Sequence, residues 1–334
     1  MTLLNEPLLT LELTRGEFCP PSGAAYVYGA ETEERASLDE EWCSRAVASG
    51  VGLVSIAAQL PDDMVLSSHA YGFEDEVINA WDAGALEEML LRLGSPLYLD
   101  ITGLMYRSWA PILRAAVRLE IETYVVYVEP NEYRRNPDPA QGLIFDLSAR
   151  IQGVAPLPGF VTLRRPRHPE DSCFIALLGF EGARFGYILD ELEAVPTKTV
   201  PIVGVPGFRA DYPFFAYSGN RVQLESDFLA SRVRFAKANC PFDAFHMLHE
   251  IANDYQGDFL RVAPIGTKPH GLGAVLFAMA RSGRVELVYD HPIRSEKNTR
   301  GEARLCVYDV HRFVSSDLYR EVGAYSPARR APAS

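Results

Sequence analysis

No uninterrupted apolar run among the 334 residues approaches the roughly 18 that a membrane span requires. Basic residues are in the minority, with Lys+Arg 32 against Asp+Glu 44 and a formal charge of −12. That balance disfavours a protein that coats duplex DNA or an anionic membrane through bulk charge, although a local basic pocket is still allowed. The apolar start, Met1 to Thr14, carries Glu6 and Glu12 and no basic n-region, so it does not read as a signal peptide. Cysteines are few, odd in number and without a CxxC pair (Cys19, Cys43, Cys173, Cys240, Cys306), the usage expected of reduced thiols in a cytoplasmic protein. Neither the phosphate loop GxxxxGK[ST] nor the dinucleotide fingerprint GxGxxG occurs, which disfavours an ordinary ATPase or dehydrogenase. A GxSxG elbow is missing as well. His246 and His249 share a helix face but lack the HExxH form and further ligands, so neither metal nor cofactor is expected.

What is present is a globular balance, 48% hydrophobic against 23% charged, in a chain long enough to bury a core without staples. The chain also echoes itself. Ala24 to Tyr28 runs into Gly29-Ala30-Glu31, and Cys173 to Leu178 runs into Gly179-Phe180-Glu181, 150 residues later. Leu53 to Ile56 matches Ile202 to Val205 at a spacing of 149 residues. Leu97 to Gly103 answers Leu260 to Gly266 at 163, and Tyr124 to Pro130 answers Glu286 to Pro292 at 162. Two spacings followed by two longer ones describe one duplication, with an insertion of about a dozen residues in the second copy.

Each copy reads as strands alternating with helices. The helices are expected at Leu38–Ser49, Ala85–Leu93 and Ser108–Leu119, then at Arg184–Leu192, Pro241–Asn253 and His270–Arg281, with Pro111 in a first turn. Continuous apolar strands between helices predict an α/β fold of two tandem Rossmann-like units with mainly parallel sheets. The expected divisions are an N-terminal edge segment (1–22), a first unit (23–150), a proline-rich linker (151–171), a second unit (172–325) and a disordered tail (326–334). Leu8 to Leu13 is a candidate edge strand and Ala303 to Val310 a final strand.

In open parallel sheets, ligands bind beyond the carboxyl ends of the strands. The strongest candidate there is Gly266-Thr267-Lys268-Pro269-His270-Gly271-Leu272-Gly273, leaving an apolar strand and entering a small-residue helix. Gly266 permits close backbone approach, Thr267 offers a hydroxyl, and Lys268 adds charge at a helix N-terminus that attracts anions. A glycine-rich turn needed only for strand–helix packing explains the same residues. His270 is a candidate hydrogen-bond donor or acid/base group.

This strand, Gly-Thr-Lys-Pro turn and helix resemble the second signature of CARF domains, the CRISPR-associated Rossmann-fold sensors of cyclic oligonucleotides. The first copy's Asp100-Ile101-Thr102-Gly103 resembles the onset of the same turn and departs from it at Leu104, Met105 and Tyr106. Two such copies in one chain resemble the SAVED arrangement. The resemblance implies phosphate or ribose contacts from Gly266, Thr267 and Lys268, a role for Thr102 and Gly103 at the matching turn, and a setting in bacterial antiviral defence. No further nuclease or protease domain is apparent, so the resemblance also implies an effector partner or an oligomer.

Several other residues lie near the expected carboxyl edges. Glu31 and Glu181 suit ribose hydroxyls or helix capping, and Arg184 suits an anion. Arg294, Lys297 and Arg300 form a basic cluster, echoed by Tyr133-Arg134-Arg135, and both are candidates to hold a polyanion. The aromatic segment Gly204 to Phe215 suits base stacking or a core seal. The leading expectation is a sensor of a nucleotide, a cyclic oligonucleotide or another phosphorylated ligand. The alternatives are a phosphodiester hydrolase using the same cleft and a non-catalytic scaffold subunit of a defence complex.

Overall fold

The computed structural model describes residues 9–324, apart from 30–32, 59–61, 141–142, 146, 164–165, 167, 227 and 295–298. Glu31, Lys297 and the tail at 326–334 therefore lie outside the described residues. The first half of the chain builds seven strands of an eight-stranded mixed sheet. In chain order it contains β1 (Thr10–Leu13), β2 (Ala25–Gly29), β3 (Gly52–Ala58), β4 (Asp63–Ser68), β5 (Phe73–Asn79), β6 (Leu97–Asp100) and β7 (Thr123–Tyr133). Helices α1 (Glu40–Ala48), α2 (Ala83–Arg92) and α3 (Tyr106–Arg118) connect them. A hairpin of β8 (Arg135–Ala140) and β9 (Leu143–Phe145) follows, then β10 (Ser148–Ile151).

The second half contains β11 (Ser172–Leu177), α4 (Gly182–Glu191), β12 (Thr199–Gly204), α5 (Tyr212–Gly219), α6 (Arg221–Ser226) and β13 (Arg234–Ala236). It continues through α7 (Pro241–Asp254), β14 (Phe259–Pro264), α8 (Lys268–Ala280) and β15 (Val285–Leu287). Its five strands are all parallel, in the order β13-β12-β11-β14-β15. β16 (Pro292–Arg294) then pairs with β10, and β17 (Thr299–Asp309) crosses back to the first sheet, followed by α9 (Val310–Val314) and α10 (Asp317–Ala324).

The first sheet has the order β1-β17-β7-β6-β2-β3-β4-β5. Its centre, β3-β2-β6-β7, is parallel, but β4 and β5 on one side and β17 and β1 on the other run antiparallel. The expectation of a mainly parallel sheet is corrected here. Along β4 burial alternates residue by residue, with Met64, Leu66 and Ser68 inward. Such a half-solvated strand belongs to a hairpin, not to a crossover unit. The first sheet and the parallel sheet thus share an α/β character without being copies in outline.

Pro111 is the second correction. The helix starts at Tyr106, two residues earlier than expected, so the proline sits inside it and not in its first turn. The proline removes one backbone donor from a helix whose Trp109, Ile112 and Leu113 are fully buried. One continuous apolar cluster contains Trp109 and Leu113 of α3 together with Leu272 and Leu276 of α8. Helix α8 is buried from Lys268 through Ala278, so the core runs across both halves. No helix among the described residues is long and apolar enough to cross a membrane.

Candidate functional site

In each sheet the crossover switches direction between two neighbouring parallel strands, β2 and β6 in the first, β11 and β14 in the second. Chains leaving such a pair part company and leave a crevice. At both switch points the crevice is narrowed by paired glycines. A Cβ on Gly29 would stand 2.6 Å from the Gly103 carbonyl carbon, and one on Gly266 would stand 2.6 Å from the Leu178 carbonyl oxygen. Gly179 is as tight, at 2.7 Å from the Ile265 carbonyl oxygen. The glycines that the sequence pairs by spacing are thus needed for backbone-to-backbone packing.

The carboxyl edges of the two sheets enclose one cleft. Its inner chamber, about 150 Å³, is lined from the first half by Glu33, Arg35, Tyr106, Tyr127 and Tyr133. From the second half come the 178–181 and 264–268 turns, Arg184, Phe208, Tyr212 and Tyr289. An outer chamber of about 790 Å³ shares Glu33, Tyr133, Tyr212 and Thr299 with it and is rimmed by Arg134, Arg135, Arg209 and Arg300 interleaved with Glu34, Glu132 and Asp211. Rings dominate the inner wall: Tyr133 meets Phe180 edge-on at 5.3 Å and Tyr212 at 5.7 Å. Burial raises both phenols, Tyr212 to about 12, so they are neutral hydrogen-bonding groups at physiological pH.

The cations of the inner chamber are committed to the protein. Lys268 points inward, and its ammonium donates to the backbone carbonyls of Ile101, Thr102 (2.6 Å) and Leu104 (2.8 Å). These acceptors belong to the Asp100–Met105 turn, the very segment whose sequence echoes the lysine's own. Arg184 forms a buried two-pronged pair with Asp290, Nε to Oδ2 at 2.8 Å and Nη2 to Oδ1 at 2.6 Å. Hydrogen bonding to that carboxylate holds the guanidinium's pKa up against the penalty of burial. Arg35 donates to Glu33 at 2.9 Å and to the Val128 carbonyl at 2.6 Å.

The remaining expected residues are largely internal. Thr267 caps α8, accepting from the His270 amide, and its hydroxyl donates to the Ala238 carbonyl at 2.8 Å. Thr102 is fully buried and its hydroxyl accepts from the Val128 amide. His270 is fully buried, 3.0 Å from the Lys237 carbonyl through Nε2, and does not line the cleft. Burial drives its pKa down to about 4, so it is neutral at physiological pH. Glu181 accepts from the Leu147 and Ser148 amides and the Ser148 hydroxyl, pinning the entry to β10 beside the cleft. Arg294 stands in β16 opposite Ser148.

Of the expected basic loops, Arg134, Arg135 and Arg300 do converge on the outer chamber, joined by Arg209. Asp290, Glu33 and Arg35 were not anticipated. A buried aspartate just after an apolar strand is the one signal that would have pointed to Asp290, since it demands a cation. No group of three or more metal-ligating side chains occurs among the described residues. The chain matches no protein-family model and no curated protein.

Proposed function

We propose that the protein is a sensor of a nucleotide or similar phosphorylated ligand, held in the cleft between the carboxyl edges of its two sheets. The observation that carries this reading is the pairing of a ring-lined inner chamber with an arginine-rimmed outer one in a strongly acidic chain. Aromatic walls offer stacking to any nucleobase, and arginines offer forked donors to phosphate. The proposal extends to two Rossmann-like units derived from one ancestral unit and to a CARF- or SAVED-like place in bacterial antiviral signalling. Support for the common origin comes from the four matched segments, which occupy the same relative places in the two strand orders. In this reading ligand binding alters a protein partner or an oligomer, since both halves of the chain contribute to one cleft.

Hydrolysis through His270 is not part of the proposal, because that imidazole is sealed inside the second half. The direct test is acid extraction of the purified protein followed by mass spectrometry, with calorimetric titration of mononucleotides and cyclic oligonucleotides. A bound or titrating nucleotide supports the reading. Absence of any nucleotide by both measurements refutes it.

A further inference from the structure

We infer that two copies of this chain associate through the outer side of the layer formed by α5, α6 and the 3-10 turn at Leu229–Arg232, together with the edge strand β13. The association does not depend on what the cleft binds.

The layer is apolar on both of its sides. Inward, Ala216 of α5, Leu224 of α6 and Leu229 of the turn enter one apolar cluster with Val203 of the parallel sheet. Outward, the same elements expose Phe214 and Tyr217, then Val222, then Phe228 at the start of the turn. Phe235 joins them from β13, where it stands in register with Val203 and so on the same face, at the open edge of the sheet. These five side chains are between 41% (Tyr217) and 82% (Phe228) exposed, and they include every exposed phenylalanine among the described residues.

Helix α5 is the clearest case. None of its eight residues is charged, and a helix without a polar face belongs in an interior. Tyr212 and Ala216 are covered at the cleft wall. Phe214 and Tyr217, three residues apart and therefore neighbours on the helix surface, are left uncovered.

Area and charge select a second copy as the cover. Side chains of this size at these exposures present about 600 Å² of largely apolar surface per copy. A stable interface of standard size buries about 800 Å² per partner, little more than half of it apolar, so the patch suffices for one. The segment 205–236 carries four arginines against three carboxylates, in a chain whose net charge is −12. The repulsion between two acidic copies is therefore relieved on this face. Arg209, Arg221 and Arg234 are each paired within the chain, with Asp211 (3.3 Å), Glu225 (2.8 Å) and Asp254 (3.3 Å), and call for no acidic partner. An apolar, internally neutralised face suits its own copy in a closed two-fold dimer, the commonest symmetric assembly.

Sedimentation velocity of the full chain over a concentration series tests this. The parent should sediment as a dimer. The Phe214→Asp/Phe228→Asp double variant, changed only at exposed positions, should shift to monomer with a dimer dissociation constant at least about tenfold higher. Phe235→Ser, on the edge strand, should weaken the dimer without altering α5. Leu91→Asp, 71% exposed on α2 of the first half, should leave the dimer unchanged. Matching far-ultraviolet circular dichroism in all the chains checks that each is folded. A parent that stays monomeric up to its solubility limit overturns the proposal, as does a dimer that survives both the double variant and Phe235→Ser. A monomeric parent that copurifies with a different protein, lost in the double variant, gives the face to that partner and equally overturns self-association. Nucleotide titration of the same chains is a separate measurement, so the sensor reading can fail while the dimer stands.

Discussion

Lys268→Met separates a strut from a ligand-binding group. The methionine keeps most of the aliphatic stem and deletes the ammonium that joins α8 to the carbonyls of Ile101, Thr102 and Leu104. Lys268 is only 7% exposed, so water does not replace the lost donor at these oxygens. Each buried acceptor left unmatched costs about 1–3 kcal/mol, and relief from burying a charge offsets part of the sum. The net loss expected is about 3–5 kcal/mol, the usual range when one partner of a buried ionic contact is removed. Because a single apolar cluster spans both halves, the parent should melt in one calorimetric transition. The variant should then melt roughly 4–7 °C lower. Lys268→Arg should not restore the loss, since a planar guanidinium cannot converge on three carbonyls as a compact ammonium does. A variant that melts within about 1 °C of the parent but loses nucleotide affinity would refute the strut and return the lysine to the phosphate.

Two buried titrating groups give pH limbs of opposite sign. His270 has its pKa lowered from 6.5 to about 4, so between these values the unfolded chain holds a proton the native one lacks. Stability therefore falls as pH drops through that window, by up to about 3 kcal/mol, and His270→Gln should flatten this limb of a denaturant titration. Glu129, desolvated beside Arg304, is pushed from 4.5 up to about 7, so its native form keeps a proton the unfolded one has released. Its contribution falls as pH rises from 4.5 to 7, by up to about 3 kcal/mol, and Glu129→Gln should remove that slope; an unchanged slope in either variant refutes its assignment. Gly266→Ala should destabilise strongly because its new methyl meets the Leu177 and Leu178 carbonyl oxygens at 2.9 and 2.6 Å, and equal melting temperatures for it and the parent would contradict the packing.

Helix positions were largely legible because the expected helices carry boundary residues and, apart from the wholly buried α8, an apolar face. Asp39 and Asp82 cap α1 and α2, Thr267 caps α8, and Pro241 opens α7. The β4–β5 hairpin was not anticipated because the reading sought continuous apolar strands, while β4 alternates and β5 carries Glu74, Asp75 and Glu76. Such acids on the outermost strand discourage pairing with another chain. The destination of β17 was likewise hidden: Leu305 to Tyr308 reads as a buried strand, but nothing local says that it leaves the second half to pair with β7. Pairing across so long a sequence separation is decided by tertiary packing, not by propensity.

The internal partners of Lys268 were hidden in the sequence for a related reason. A lysine after Gly-Thr at a helix start has the local form of an anion-binding turn whether its charge meets a ligand or another part of the chain. Here the other part is the matching turn of the first half, which lacks a lysine and presents carbonyls instead. The departures at Leu104, Met105 and Tyr106 then take on a physical meaning. Leu104 supplies one of the accepting carbonyls, and the Tyr106 hydroxyl would stand 1.7 Å from a Cβ on Gly271, so that α8 position is open only to glycine. Once the two turns satisfy each other, neither has charge left for a guest. An anion taken up in this cleft would have to be met by side chains other than Lys268, Arg184 and Arg35, whose donors are already bonded within the protein.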